Sequence, residues 1–353
     1  MKSRIDNVFI SGADGELGSQ IMKSLLEMPS LHRHLPNITV YAGVSVHNEN
    51  ISSSQLEERD TMAMVVNVDP INNPEAIVHS LSNVSKLLLL IDPLSGKLTQ
   101  NDTLSFARGY INAAKEANVE HIIFPTPFTK LDTPFTPPLT PTDEKDETES
   151  SINNNNNNNS YRDQFELVES MLKETFPSSQ ITILRYPGVL NQHLLLFSRH
   201  IIEHSKIPLI DNPSMIFECC DISDVVRAIC NILYCPVQRH GGKIYKITGP
   251  NLLTTDEIAV KASLGLGRTI TPDFLPNNQL YEILSEVIPG KEEVAYLLEL
   301  WGLQGKNYIN GSYNSGGARR VQVTRDLEMI TGGPGKSLRD FFVNNRATFC
   351  DKI

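Results

Sequence analysis

An α/β fold built on a doubly wound parallel sheet is predicted by three observations. Short apolar strands alternate with helix-length stretches through the first 125 residues. A glycine-rich turn, Gly12-Ala13-Asp14-Gly15-Glu16-Leu17-Gly18, directly follows the first strand and opens a helix. The strand beginning at Lys86 carries Leu87 to Leu90 in an unbroken run, as a strand buried on both faces of a parallel sheet requires.

Asn7 to Ser11 reads as the first strand and Ser19 to Met28 as the helix behind it. Strands follow at Ile38–Val44, Met64–Val68, Lys86–Ile91 and His121–Phe124, with helices at Pro74–Leu81 and Thr103–Ala117. Six prolines between Pro125 and Pro141, an acidic run and seven consecutive asparagines, Asn153 to Asn159, then interrupt the rhythm. Such a tract has nothing to bury, so residues 131–160 are expected to form a disordered surface insertion. The pattern resumes with a helix at Phe165–Thr175 and a strand at Gln180–Arg185. Beyond the Pro187-Gly188 turn, helices are expected at Leu194–Ser205, at Asp221–Leu233 with Asp221 as N-cap, and from Thr254 or Thr255 to Leu264 with Glu257 completing a capping box. Lys243–Thr248 is a strand, and Gln279–Glu286 and Glu292–Leu300 are helices. The expected division is a dinucleotide-binding domain over residues 1–250, with 185–220 and 250–353 supplying a small C-terminal α/β lobe.

Composition narrows the function. The 353 residues carry 31 Lys plus Arg against 41 Asp plus Glu, a formal net charge of −10. That balance argues against direct nucleic-acid binding and against a polybasic membrane anchor. No run approaches the length of a membrane span, and the polar start has no signal-peptide pattern. Five cysteines without framework spacing fit a reducing, cytoplasmic setting.

The glycine turn is the strongest chemical signal. Glycines there allow a tight turn and bring a pyrophosphate close to a helix N-terminus, so Gly12, Asp14, Gly15, Glu16, Leu17 and Gly18 are candidate cofactor contacts. Asp14 and Glu16 set two carboxylates near the expected phosphates, an awkward arrangement unless both face solvent. The alternative reading is a turn kept for packing. At the tip of the second strand neither an acid nor an arginine is present. Ser45 and His47 stand where a ribose or its phosphate would be met, and read equally well as loop residues.

The order of motifs resembles the NmrA-like family of atypical short-chain dehydrogenases/reductases. The resemblance rests on the glycine turn, on Asp69 ending the third strand, on Phe106 to Phe124, on Ile183-Leu184-Arg185-Tyr186-Pro187-Gly188, on Asp221 to Val225, on Tyr245 to Pro250, and on Asp326 to Gly332 and Ser337 to Phe342. It implies a Rossmann-like domain with a small lobe over a cofactor cleft. It also implies either an NAD(P)H-dependent reductase of small carbonyl or quinone compounds or a dinucleotide-binding sensor that acts on a regulatory protein partner. NADP is placed slightly ahead of NAD, and a monomer or homodimer is expected. A nucleotide-sugar epimerase ranks third.

Strand-end positions add Asp69, Asp92, Pro93, Thr126, Tyr186, Pro187 and Val189 to the expected cofactor contacts, and Asp92, Pro93, Thr126, Phe128, Tyr186, Val189 and His193 are the candidate lining of a small-molecule substrate site. Tyr161 and Thr126 are the candidate proton donors. A lysine four residues after the tyrosine would assist it, but Phe165 holds that place. Tyr161 therefore also reads as an ordinary residue at a helix start. His200-Ile201-Ile202-Glu203-His204 fits an inverted zinc-peptidase motif but lacks an evident third ligand. Gly332 to Ser337 superficially resembles a phosphate loop and reads better as a turn before a terminal helix.

Overall fold

The computed structural model describes residues 6–31, 38–45, 63–95, 98–128, 160–210, 216–306 and 322–350. The expected insertion lies outside these apart from Ser160, as does His47. Seven parallel strands form the central sheet: β1 (Asp6–Ile10), β2 (Ile38–Ser45), β3 (Ala63–Val68), β4 (Lys86–Leu88), β5 (His121–Thr126), β6 (Ile181–Arg185) and, at the far edge, a strand at Ile244–Lys246. Their order across the sheet is β3, β2, β1, β4, β5, β6 and then the Ile244–Lys246 strand. The chain reverses direction between β1 and β4, the switch point outside which doubly wound folds bind ligands.

The apolar alternation along β1 explains the layering. Phe9 faces a core shared with Leu87, Leu89, Ile122 and Phe124. Val8 and Ile10 face a second core with Leu88, Leu90, Ile123 and Leu184. The first face is covered by α2 (Pro74–Leu81), α3 (Thr103–Glu116) and α4 (Tyr161–Thr175), and the opposite face by α1 (Glu16–Leu31). The leucine run is buried throughout, as expected, although regular β4 pairing stops at Leu88. Its continuation bonds sideways, with Leu89 N–H donating to the Ile123 carbonyl at 2.9 Å and Leu90 N–H to Ser11 Oγ at 2.8 Å.

After β6 the chain makes β7 (Val189–Leu190), a 3₁₀ turn over Asn191–Phe197 and α5 (Ser198–His204). The single helix expected at Leu194–Ser205 is thus two short pieces. Three small pairings follow outside the main sheet: β8 (Lys206–Ile210) with a strand at Thr271–Leu275, β9 (Ile216–Phe217) with one at Leu253–Thr254, and β10 (Cys219–Cys220) with β7. Next is α6 (Ile222–Tyr234), capped by Asp221, whose Oδ1 accepts from Ser223 N–H at 2.9 Å. Ile222, Val225, Val226, Ile229, Ile232 and Leu233 recur at helical spacing and join the core beneath α1. α7 (Val237–His240) precedes β11 (Ile244–Lys246), and β12 (Leu253–Thr254) leads into α8 (Thr255–Leu266). The Thr254/Glu257 capping box at the start of α8 forms as expected. Then come β13 (Thr271–Leu275), α9 (Asn277–Ser285), α10 (Lys291–Lys306), α11 (Asp326–Thr331) and α12 (Leu338–Asn344). Gly265 lets α8 approach α12 closely, since a Cβ there would lie 2.4 Å from the Cβ of Phe342. No helix among the described residues is long and apolar enough to cross a membrane.

Candidate functional site

The glycine turn is pinned before it meets any ligand. Ala13 N–H donates to the Gly43 carbonyl at 3.0 Å, and Gly15 N–H to the Gly12 carbonyl at 3.1 Å. Gly12 adopts φ +61°, in the left-handed region that glycine enters without strain. At Gly18 a Cβ would stand 2.2 Å from the Gly12 carbonyl oxygen, so only glycine lets α1 start so close to the turn. The first-turn N–H groups of α1 have no intrahelical acceptor and carry the positive end of its dipole. This backbone fits a pyrophosphate.

A cleft opens from the turn along the carboxyl ends of β4, β5 and β6. Gly12, Glu16, Leu17 and Gly18 line one end, Asp92 and Leu94 the middle, and Pro125, Pro127, Tyr186, Gly188 and His193 the other. α10 closes it from the C-terminal lobe with Tyr296 and Leu300. Leu300 Cδ2 would lie 2.5 Å from a Cβ on Gly188, so that glycine is what allows α10 to seat. The enclosed space is about 50 Å³, narrow for a whole dinucleotide. One side chain stands against the phosphate reading: Asp92 Oδ2 is 2.3 Å from the position a Gly15 Cβ would take. Glu16 lies beside it, and its carboxyl is held above the ordinary range by burial first and by Asp92 second.

Electrostatics keeps the far end neutral. Burial, and then Asp92, raise the Tyr186 phenol. Burial, followed by Tyr186 and Asp92, holds Tyr296 well above its ordinary value. Burial lowers His193 to about 4, leaving a neutral ring whose Nδ1 accepts from Leu190 N–H at 3.4 Å. Both tyrosines therefore remain protonated donors.

The expected residues divide. Gly12, Glu16, Leu17, Gly18, Asp92, Tyr186 and His193 line the cleft, and Gly15 meets Asp92. Pro93, Thr126, Pro187 and Val189 are absent from its lining, where their neighbours Leu94, Pro125, Pro127, Gly188 and Leu190 stand instead. Thr126 is fully buried, and its hydroxyl has no hydrogen-bond partner. Asp69 caps a turn, accepting from the backbone N–H groups of Ile71 and Asn72. Asp14 is in the glycine turn but outside the cleft lining, and Ser45 ends β2 in register with Val68. Phe128 packs edge-on against Phe165 in the core, ring centroids 5.2 Å apart.

Tyr161 does not line the cleft. It begins α4, only 3% exposed, with an unpartnered Oη, and its phenol is pushed up to about 12 by burial and then by Glu292, Glu299 and Glu293. Its ring meets Tyr296 edge-on at 4.8 Å between centroids. Phe165, in the lysine's place, packs against Phe124. Tyr296 is the cleft residue that sequence reasoning missed. Only the helical pattern around it was readable, because a distant helix announces nothing about the face it presents. The same helix supplies Glu299, whose carboxylate accepts from Tyr161 and Arg162 N–H at 3.1 and 2.9 Å and so caps α4 from 137 residues away.

The other motifs are accounted for structurally. His200 Nε2 pairs with Asp273 Oδ2 at 2.9 Å and its ring lies edge-on to His204. No group of three metal-ligating side chains occurs among the described residues. Lys336 N–H donates to Asp224 Oδ2 at 2.7 Å and Ser337 caps α12, so the Gly332–Ser337 segment is a turn before a helix.

No protein-family model and no curated protein matches the chain. Solved structures do. An NADPH-dependent quinone oxidoreductase of Escherichia coli, complexed with NADPH, is 17% identical, covering 96% of this chain and 99% of its own, with a TM-score of 0.65. Triphenylmethane reductase of Citrobacter sp., complexed with NADP(H), is 18% identical over the same shares, also at 0.65. NmrA, a negative transcriptional regulator in complex with NADP, is 13% identical, covering 97% and 95%, at 0.62. The chain shares their Rossmann-like α/β fold, and the likeness covers nearly its whole length.

Proposed function

We propose that the chain is a dinucleotide-binding reductase of small, flat carbonyl or quinone compounds. The observation that carries this reading is the juxtaposition of a backbone phosphate cradle with two protonated tyrosines in one cleft. Gly12, Gly15 and Gly18 would hold the pyrophosphate, together with the first-turn N–H groups of α1. A reduced nicotinamide, when bound, supplies hydride. NADP ranks ahead of NAD, because the quinone and dye reductases that share the fold were solved with NADPH or NADP(H).

The residues at the far end do the remaining work. Pro125, Pro127, Leu190, Ile222 and Leu300 make an apolar slot that excludes water and orients a planar ring. As negative charge grows on the substrate oxygen, Tyr186 Oη and Tyr296 Oη donate hydrogen bonds to it. Their raised pKa values keep each proton on the phenol, so each stabilises the developing oxyanion as a fixed donor, and the reduced oxygen takes its proton from water as the product leaves. The five free cysteines fit a cytoplasmic location, and a monomer or homodimer is the working assembly.

A sensor acting through a protein partner is the second reading. It is supported by the absence of any lysine among the cleft-lining residues, where a reductase of this kind would keep one beside its tyrosine. Following oxidation of reduced cofactor against quinones and aldehydes decides between them. Turnover supports the reductase, and tight dinucleotide binding with no turnover on any compound supports the sensor.

A further inference from the structure

We infer that Asp92 sets the dinucleotide affinity of this cleft, its carboxylate standing in for the pyrophosphate over Gly15 until the dinucleotide displaces it. The inference rests on the dinucleotide reading above and adds a residue that works against binding.

Three observations carry it. The second glycine of such a turn is kept bare so that a pyrophosphate can approach the backbone. Here that approach is taken: Asp92 Oδ2 sits 2.3 Å from where a Gly15 Cβ would project, and Asp92 Cγ 3.2 Å from it. A carboxylate this close to the start of α1 lies in the field of the same positive dipole that would receive a phosphate. Next, Asp92 is held in place. Its Oδ1 accepts from Leu94 N–H at 3.0 Å, and its backbone carbonyl accepts from Ser95 Oγ at 2.7 Å and Ser95 N–H at 3.2 Å. α10 packs on the Pro93–Ser95 turn, and Glu292 at its start accepts from Gln100 N–H at 2.9 Å just beyond that turn. Finally, the described residues that line the cleft with it bring like charge or none. Glu16 from α1 adds a second carboxyl, while Tyr186 and Tyr296 bring neutral phenols and His193 a neutral ring. No cation is among the cleft-lining residues. An incoming pyrophosphate therefore meets like charge at the position it must occupy, and Asp92 has to swing aside or be lost from that position before it can seat.

The test is calorimetric titration of wild type, Asp92→Asn, Asp92→Ala and Glu16→Gln with NAD, NADH, NADP and NADPH, alongside melting curves. Asp92→Asn keeps an oxygen to accept from Leu94 N–H and removes the charge. Asp92→Ala also clears the space. Both are expected to bind a dinucleotide at least about tenfold more tightly than wild type, with Glu16→Gln giving a smaller gain in the same direction. Tight binding by the Asp92 variants with undetectable binding by wild type is the strongest form of the expected result. If wild type binds and both folded Asp92 variants bind equally or more weakly, Asp92 is a ligand-holding or neutral residue, and the inference is overturned while the dinucleotide reading stands. If none of the folded proteins binds any of the four, that reading itself fails and the inference falls with it.

Discussion

The two ends of the central sheet treat buried polar groups in opposite ways. At the amino ends of the strands, the protein answers most of them internally, although His121 Nδ1 and His240 Nε2 are buried without a hydrogen-bond partner. Lys86 is 3% exposed, yet its Nζ pairs with Asp6 at 2.7 Å and donates to the Leu233 and Cys235 carbonyls at 2.6 and 2.9 Å. Nearby, His121 Nε2 meets Thr182 Oγ1 at 2.8 Å, Thr182 donates to the His240 carbonyl at 2.8 Å, and His240 Nδ1 meets Tyr245 Oη at 2.9 Å. At the carboxyl ends, the half-buried Asp92 and the exposed Glu16 line the cleft together, and the tyrosines stay un-ionised. A polar group satisfied within the chain stabilises the fold. One left facing a cleft is available to a ligand.

Breaking the stabilising end should give the largest effect. Lys86→Ala leaves two carbonyls and a carboxylate without their cation and should lower unfolding free energy by about 3 kcal/mol in urea denaturation. A change below about 0.5 kcal/mol would mean that this end is as loosely satisfied as the cleft. At the functional end, Tyr186→Phe removes a donor rather than a fold contact. It should lower kcat/KM about a hundredfold on any accepted quinone or aldehyde and leave the dinucleotide Kd within about twofold. Equal losses in both quantities would assign Tyr186 to cofactor binding instead.

Acid should weaken both ends, since burial holds His193 of the cleft at about 4 as well. Burial holds His121 at about 3 and His240 at about 4, against about 6.5 in the unfolded chain. Below 6.5 the unfolded chain takes up protons that the folded histidines refuse. Their stabilisation is therefore complete above pH 6.5 and is lost as pH falls toward 4 and 3, by up to about 1.4 kcal/mol per pH unit for each ring. Urea midpoints measured from pH 7.5 to 4.5 should show this slope, and His121→Gln should make it shallower. The smallest effect is expected at Tyr161. Its hydroxyl has no hydrogen-bond partner and does not reach the cleft, so Tyr161→Phe should shift stability by less than about 1 kcal/mol and kcat/KM by less than about tenfold. A hundredfold loss with intact cofactor binding would return Tyr161 to the chemistry.

The sheet was legible because burial leaves a local trace. The leucines after Lys86, the periodic residues of Ile222–Leu233 and the glycine turn each report a neighbour through their own spacing. Helix ends at Asp221 and Thr254 were equally readable, since a cap and its acceptor are adjacent in sequence. The cleft was legible only where the sheet builds it. Gly12 to Gly18, Asp92, Tyr186 and His193 follow from strand ends, whereas Tyr296 and Leu300 arrive from α10. Tyr161, readable from sequence both as a proton donor and as an ordinary helix-start residue, is packed against Tyr296 and held by Glu299 from far along the chain, contacts that its own neighbourhood does not announce. Likewise, Asp69 ends a strand as expected but serves its own turn.

The central claim is that the cleft at the switch point receives a nicotinamide dinucleotide on the glycine turn. Calorimetric titration of the wild-type chain with NAD, NADH, NADP and NADPH, beside Gly15→Val, tests it most directly. A valine there would drive its Cβ against Asp92 and fill the place of closest approach. The account predicts saturable one-to-one binding of at least one dinucleotide by wild type, lost in a Gly15→Val protein that still melts cooperatively. Equal binding by the two folded proteins, or no binding of any of the four by wild type and the folded Asp92 variants alike, would contradict it.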